Sequence, residues 1–331
     1  MANLSTTYLG IKLKNPLVVS SSPASENIDN IKRMEASGAS AVILYSLFEE
    51  QIELQNLGYH QFGPEYKTIL PDELQHIPDM AEYNHGANNY LAHIYQAKKA
   101  VDIPIIASLN GYYPGGWVQY AKLIEAAGAD ALELNVYYLS SKPDITGKEI
   151  EQMHIDLVKS IKEQTTIPVA IKLSPFFSAF ANMAQQLDNT GVDGMVLFNR
   201  FYQPDFDVES RVVIPSLTLS ERSELRLRLR WAAILYNRIK ADIAITGGVH
   251  TVEDVVKSVL AGAKTVMLAS VLLRHGIEYL QELESGLHAW LDAHEYESLA
   301  ELCGKLSQTA VKDPVAFERA NYMRVLKTYK T

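Results

Sequence analysis

Short apolar runs recur along the chain, and each is followed by a stretch in which apolar residues return at helical spacing. The runs span three to five residues and are rich in branched side chains, as in strands buried on both faces of a parallel sheet. Eight such runs occupy residues 17–19, 41–44, 104–107, 131–134, 169–173, 195–198, 243–245 and 266–268. The pattern predicts eight strands that alternate with helices.

The turns before these runs are of two alternating kinds. One kind begins with glycine, which adopts the left-handed backbone angles found at helix ends. These turns begin at Gly38, Gly128, Gly191 and Gly262. The other kind is a short polar turn that contains an aliphatic residue, as at Asp102-Ile103-Pro104. Regular alternation of strand and helix produces right-handed βαβ units.

Eight such units close naturally into the α/β fold known as the (β/α)8 or TIM barrel, which we predict here. An open doubly wound sheet is the alternative, although it usually has fewer repeats. We interpret residues 1–331 as one domain, because barrels often reach this length. The long loops 48–99 and 199–220 follow strands, so they lie at the carboxyl end, where barrel sites form. Residues 284–331 are predicted to form a helical tail.

Composition narrows the class of protein. The chain carries 30 Lys and Arg against 39 Asp and Glu, a net charge of -9, which disfavours a nucleic-acid partner. The start lacks the apolar core of a signal peptide, and no run approaches the roughly 18 apolar residues that span a bilayer. The single cysteine, Cys303, excludes internal disulfides and cysteine-based zinc clusters. We expect a cytoplasmic protein that needs no membrane and no metal.

Two turns of small residues follow the last two predicted strands. Thr246-Gly247-Gly248 follows the seventh strand, and Leu268-Ala269-Ser270 ends the eighth. Glycine lets backbone amides approach a ligand, and these two loops form the usual phosphate site of barrels. We favour a phosphate site here over two tight turns without a ligand.

Lys172 interrupts the apolar run 169–173. Burying its ammonium without a partner would be costly, so we expect it to point to the barrel mouth. There it could stabilise a developing anion. An ion pair with a carboxylate such as Glu133, without any ligand, explains the same spacing equally well.

Amide and phenol side chains end or follow other strands. Asn110, Asn135 and Asn199 each fit a turn singly, but together they favour a floor that binds a flat heterocycle. Tyr137 and Tyr138 follow the fourth strand and are candidate proton donors or stacking groups. Plain aromatic packing is the alternative for both tyrosines.

The order and strand placement of several short segments resemble a known family. The segments are Leu9-Gly10 through Asn15-Pro16-Leu17, Ser20-Ser21-Ser22, Glu133-Leu134-Asn135, Ile171-Lys172-Leu173, Thr246-Gly247-Gly248-Val249 and Leu260-Ala261-Gly262-Ala263. Over roughly residues 5–290 the chain resembles the dihydroorotate dehydrogenases, which are FMN-dependent (β/α)8 barrels. The resemblance implies an FMN oxidoreductase of pyrimidine metabolism that acts on CH–CH groups, and it suggests a homodimer.

The resemblance also implies roles for single residues. Lys172 would lie at the N1/O2 side of the isoalloxazine ring and stabilise the reduced flavin anion. Further contacts with FMN would come from Ser20, Ser21, Asn110, Asn135, Asn199, Gly247, Gly248, Ala269 and Ser270, the last four at its phosphate. Asn84-His85-Gly86 resembles the substrate-lid motif of the family.

Departures from the family fall on the substrate side. The family places a catalytic Cys or Ser in the segment that here contains Tyr137, Tyr138 and Ser140. By position Tyr138 replaces the Cys, and Ser140 replaces a substrate-binding Asn. Tyr45 replaces a Lys after the second strand, and Arg200 is a further candidate for substrate contact.

We therefore expect hydride transfer between flavin N5 and a C–C bond next to a carbonyl of a small, dihydropyrimidine-like substrate. Tyr138, or second Tyr137, would handle the proton, and the electron acceptor or donor is left undefined by the sequence. The alternatives are a genuine dihydroorotate dehydrogenase with an unusual base, a flavin-binding protein without turnover, and a barrel that binds another phosphorylated ligand.

Overall fold

The computed structural model describes residues 1–56, 86–112, 115–201, 203–214, 216–319 and 322–327. In chain order its strands are β1 (Thr6–Tyr8), β2 (Ile11–Leu13), β3 (Leu17–Val19), β4 (Ala41–Phe48), β5 (Ile105–Asn110), β6 (Ala131–Asn135), β7 (Val169–Leu173), β8 (Gly194–Leu197), β9 (Asp205–Asp207), β10 (Val212–Ile214), β11 (Asp242–Thr246) and β12 (Thr265–Leu268). Its α-helices are α1 (Ile28–Ala36), α2 (Glu49–Asn56), α3 (Ala87–Ala100), α4 (Tyr120–Ala126), α5 (Gly147–Gln164), α6 (Phe180–Asp188), α7 (Leu225–Leu235), α8 (Val252–Ala261), α9 (Ser270–His275), α10 (Tyr279–Ala293) and α11 (Tyr322–Leu326).

Eight of these strands close into a parallel barrel in the order β3-β4-β5-β6-β7-β8-β11-β12, and β12 pairs back to β3. The predicted (β/α)8 barrel is confirmed, and the open-sheet alternative is wrong. Every predicted apolar run overlaps one barrel strand, although β4 continues to Phe48 and β5 to Asn110. The four glycine-led turns have the predicted left-handed backbone, with φ between +81° and +112°.

The hairpin of β1 and β2 closes the amino-terminal end of the barrel. Its side chains Tyr8, Leu9 and Leu13 form one buried cluster with inward-facing residues of the barrel strands. The amide of Leu9 donates to Oδ2 of Asp242, the first residue of β11, at 2.8 Å. This packing leaves the carboxyl end as the open face of the barrel interior.

The helices cover the outside of the barrel. Buried residues such as Met34 of α1 and Leu187 of α6 join the outward-facing strand residues in a second, larger core. The start of α8 is fixed by a capping box, in which Thr251 and Asp254 satisfy each other's backbone amides. That cap sets the position of the segment that joins β11 to α8.

Both segments predicted as long loops contain regular structure. In the described part of 48–99, β4 runs to Phe48, and α2 and α3 follow. Loop 199–220 contains the antiparallel hairpin of β9 and β10. β9 contains a single apolar residue, whereas β10 is the short apolar run Val212–Ile214, which was not among the predicted strands; both strands are largely exposed.

The prediction of a helical tail over 284–331 is too broad. The helix α10 ends at Ala293. The segment that follows consists of turns with two short 3-10 helices, Leu299–Leu302 and Pro314–Phe317. This segment packs by backbone hydrogen bonds onto α7 and α8, for example from Gln308 N to the carbonyl of Ala233 at 2.9 Å. Tertiary contacts hold the tail, so it needs no continuous helix.

Candidate active site

A cleft at the carboxyl end of the barrel collects most of the predicted site residues. Its space, including solvent at the mouth, is about 900 Å³. Ten predicted residues lie in its lining: Ser20, Ser21, Asn135, Lys172, Asn199, Arg200, Gly247, Gly248, Ala269 and Ser270. They come from the ends of different strands, and only barrel closure brings them together.

Lys172 of β7 lies at the floor of this cleft. Its Nζ is 3.4 Å from Oε1 of Glu133 on the adjacent strand β6, and both side chains are buried. The ion pair with Glu133 is present, and Lys172 also lines the cleft as expected. Its action on a ligand stays a prediction. Oε2 of Glu133 has no hydrogen-bond partner among the described residues. A buried pair of this kind fixes the position of the ammonium.

Three serines form a hydrogen-bonded row in the same layer of the barrel. The Oγ atoms of Ser21 and Ser46 are 3.2 Å apart, and those of Ser46 and Ser108 are 2.8 Å apart. Ser46 and Ser108 face each other because the register of β4 against β5 shifts after Ile43. This row could not be predicted from the sequence, since a register shift is not visible in an apolar run.

Two of the three predicted asparagines meet. Nδ2 of Asn199 donates to Oδ1 of Asn135 at 2.6 Å, and both residues line the cleft. Asn135 is level with Lys172 in the register of β6 and β7. Asn110 is level with Asn135 on β5, yet it lies outside the lining of the cleft. The amide pair places a donor and an acceptor beside the ammonium of Lys172.

The predicted phosphate turn forms the far end of the cleft. Gly247 and Gly248 have φ of +84° and +83°, a backbone that side chains rarely adopt. The amide of Gly248 donates to Oγ of Ser220 at 3.2 Å, and the amide of Ser220 donates to Oγ of Ser270 at 3.0 Å. Ser220 thus joins the turn after β11 to the segment after β12. This arrangement is typical of the phosphate end of barrel sites.

A buried arginine behind this turn is absent from the sequence-based set. Arg228 of α7 donates from Nε to the carbonyl of Thr246 at 2.7 Å. Its neighbour Glu224 also forms an ion pair of 3.0 Å with Arg200 in the cleft. Arg228 was missed because alternating Leu and Arg in Leu225–Leu235 hides which arginine faces inward.

Several predicted residues lie away from this cleft lining. Tyr137 stacks on Phe201 with ring centroids 4.5 Å apart, and Tyr138 contacts Tyr112 at 4.9 Å. Tyr45 packs edge-on against Tyr90 of α3 at 5.1 Å. Burial, with Glu26 nearby, raises the pKa of Tyr45 to about 12.

The remaining predicted residues belong to loops. Ser140 is exposed beyond the end of β6, and Gly86 is exposed at the start of α3. Asn84 and His85 lie outside the described residues. The cleft therefore gathers nine of the ten predicted cofactor residues, all except Asn110, whereas Arg200 is the one predicted substrate residue among those described that lines it.

The described ranges contain no group of three or more His, Cys, Asp or Glu residues that could hold a metal ion. No helix in the same ranges has the length and apolarity required to cross a membrane.

The fold and cleft define a (β/α)8 barrel protein with a buried lysine ammonium and a turn of two glycines at the carboxyl end of the barrel. The family model described as dihydroorotate dehydrogenase matches residues 3–291, and the chain belongs to this family. It is an oxidoreductase that acts on CH–CH groups, and the family is flavin-dependent.

Named relatives agree with this assignment. The catalytic subunit of dihydroorotate dehydrogenase B (NAD(+)) from Thermoplasma volcanium is 28% identical over 313 residues, covering 92% of this chain and 98% of that protein. The corresponding subunit from Pyrococcus abyssi is 27% identical over 309 residues, covering 91% and 98%. The NAD-dependent dihydropyrimidine dehydrogenase subunit PreA of Escherichia coli K12 is 22% identical over 333 residues, covering 93% of this chain and 78% of that subunit.

Proposed function

We propose that this protein is an FMN-dependent oxidoreductase that transfers hydride between flavin N5 and a C–C bond next to a carbonyl of a dihydropyrimidine-like substrate. The observation that carries the proposal is the cleft itself, in which the Lys172 ammonium and the Gly247–Gly248 turn lie in one lining. The glycine turn suits a phosphate group, and the Lys172 ammonium suits a ring that gains negative charge during the reaction. Both features fit a phosphorylated ligand such as FMN.

The donor set of the cleft fits FMN. Gly247, Gly248, Ala269 and Ser270 would hold the phosphate, and Ser20, Ser21, Asn135 and Asn199 would contact the ring system. When bound, FMN would supply the hydride acceptor or donor.

Residues of the chain would supply binding, charge and the proton. Lys172 would stabilise negative charge at the floor of the cleft, held in place by Glu133. The Asn135–Asn199 pair would orient the ring-shaped ligand through one donor and one acceptor. Tyr138 would hold or move the proton at its phenol oxygen, and Tyr137 is the second choice. Tyr138 is half-buried and packs on Tyr112 outside the cleft lining, so a substrate would have to extend from the cleft to meet its phenol oxygen.

The names of the relatives guide the choice of substrate and partners. Dihydroorotate and dihydropyrimidine both appear in those names, so a dihydropyrimidine ring in pyrimidine metabolism is the substrate class we infer. The relatives are named as subunits, which supports an electron acceptor or donor on a separate protein or small molecule. A cytoplasmic homodimer is part of the same proposal.

A genuine dihydroorotate dehydrogenase with an unusual base is the second candidate, since the family match and two named relatives favour it. Both candidates are tested by mixing the FMN-loaded protein without oxygen with dihydroorotate or dihydrouracil and following flavin absorbance. Bleaching with any dihydropyrimidine supports the proposal, and orotate formation selects the second candidate. A yellow protein that no dihydropyrimidine bleaches would instead be a flavin-binding protein without turnover.

A further inference from the structure

Arg228 is a buried cation in a position that the reaction itself does not explain. Only 6% of the residue is exposed, and burial lowers the pKa of its guanidinium. It lies on α7, outside the barrel, and its guanidinium points toward the end of β11. A buried charge is costly, so its retention calls for a specific partner.

The guanidinium ties the phosphate turn to α7. Nε donates to the carbonyl of Thr246 at 2.7 Å, and Nη1 donates to the carbonyl of Glu224 at 2.7 Å. Two bonds in different directions require the planar fork of arginine, which lysine lacks. Arg228 therefore fixes the backbone immediately before Gly247 and Gly248.

The same guanidinium lies directly behind Gly247. A Cβ atom placed on Gly247 would be 2.9 Å from Nη2 of Arg228. Gly247 and Gly248 line the cleft whereas Arg228 does not, so the turn lies between the guanidinium and the cleft. Only the thickness of the turn separates the positive charge from a ligand on the turn, so the attraction is little screened by solvent.

The local charge balance favours an anion. The carboxylate of Glu224 is shared between Arg200, at 3.0 Å, and Arg228, at 3.7 Å. Two cations therefore share one carboxylate beside the turn, in a chain whose net charge is -9. One positive charge of this triad is left for a ligand.

We propose that Arg228 is a positioning residue that holds the Thr246–Gly248 turn and adds positive potential behind it, so that the site selects a ligand carrying a terminal phosphate. Glu224 weakens this potential. The inference rests on the proposed flavin function, for which FMN is the phosphorylated ligand and riboflavin is the same ring system without phosphate.

The test compares dissociation constants of FMN and riboflavin, measured by flavin fluorescence quenching, for the wild type and three variants. In Arg228→Met the FMN constant should rise about tenfold or more, which corresponds to about 1.4 kcal/mol, while the riboflavin constant stays unchanged. Arg228→Lys keeps the charge and should recover part of the loss. Arg226→Met, which removes an exposed arginine from the same helix, should change neither constant.

Equal weakening of FMN and riboflavin by Arg228→Met would show a merely structural role and overturn the proposal, as would no change in either. Glu224→Gln covers the case in which Arg228 variants do not fold. Removing its negative charge should lower the dissociation constant of FMN about threefold or more, because a nearby carboxylate repels the phosphate. The dissociation constant of riboflavin should stay unchanged. Unchanged or weaker FMN binding would overturn the proposal. If the wild type binds FMN and riboflavin equally well, the proposed selection for phosphate is wrong but the proposed function is not affected. If it binds neither flavin, the proposed function is wrong as well.

Discussion

Replacing Lys172 with Met removes one member of the buried ion pair at the floor of the cleft. The ammonium is 3.4 Å from Glu133, whose side chain is only 1% exposed. After the substitution the carboxylate stays buried among the residues of the barrel interior without its cation. The variant therefore tests whether the pair fixes the site or is incidental to it.

The size of the effect follows from the burial of the two partners. Removing one partner of a buried pair costs about 3–5 kcal/mol. Glu133→Gln should cost less, about 1–3 kcal/mol, because Lys172 lines the cleft and can be hydrated there. The double variant removes both charges, and its cost should return to about that of Glu133→Gln alone.

The assay is urea unfolding of the flavin-free wild type, both single variants and the double variant. Flavin is removed because a ligand bound to the folded state would add its own stabilisation. The predicted coupling between the two substitutions is at least about 2 kcal/mol. Single-variant losses that add up to the double-variant loss within about 0.5 kcal/mol would show that Lys172 and Glu133 do not stabilise each other.

Three further predictions concern the proton donor, the phosphate turn and pH. Tyr138→Phe should lower turnover about 10²–10⁴-fold in steady-state assays with FMN still bound, whereas Tyr137→Phe should keep most of the turnover. Gly248→Ala should cost clearly more unfolding free energy than Gly191→Ala. Both glycines have φ near +80°, but only at Gly248 would a Cβ meet backbone, at 2.5 Å from a nitrogen of α7. Burial lowers the pKa of His154 below its usual 6.5, so its contribution to stability is present above pH 6.5 and lost as pH falls below it. His154→Gln should flatten that part of the stability–pH curve.

Each of these predictions has a contrary outcome. Unchanged turnover in Tyr138→Phe would remove Tyr138 from the proton step. Equal losses in the two glycine variants would show that left-handed strain, about 1–2 kcal/mol, is the whole cost at both positions. An identical pH dependence of urea midpoints in the wild type and His154→Gln would mean that other groups control stability in that range.

The barrel could be predicted from sequence because its signals are local. A strand buried on both faces needs a short continuous apolar run, and a helix end needs a residue that tolerates left-handed angles. Gly38, Gly128, Gly191 and Gly262 all satisfy that need. Site residues at strand ends, such as Lys172, were predictable because parallel strands bring their carboxyl ends together.

The rest depends on contacts between distant segments. In the sequence Arg222, Arg226 and Arg230 recur at i, i+4 spacing, which favours a solvated or ion-paired face, whereas Arg228 falls outside that spacing and is buried. Only the packing of α7 against Thr246 distinguishes it. The β1–β2 hairpin that closes the barrel was missed because neither Thr6–Tyr8 nor Ile11–Leu13 is a continuous apolar run, and only the last residue of each strand is buried.

The most direct test of the proposed flavin site is a crystal structure of the protein with FMN and a dihydropyrimidine analogue. In that structure we expect the phosphate to lie on the Gly247–Gly248 turn and the ring to lie beside Lys172 and Asn135. The analogue should lie over the ring, within reach of Tyr138. FMN bound elsewhere, or no FMN in the cleft at saturating concentration, would contradict the proposed flavin site.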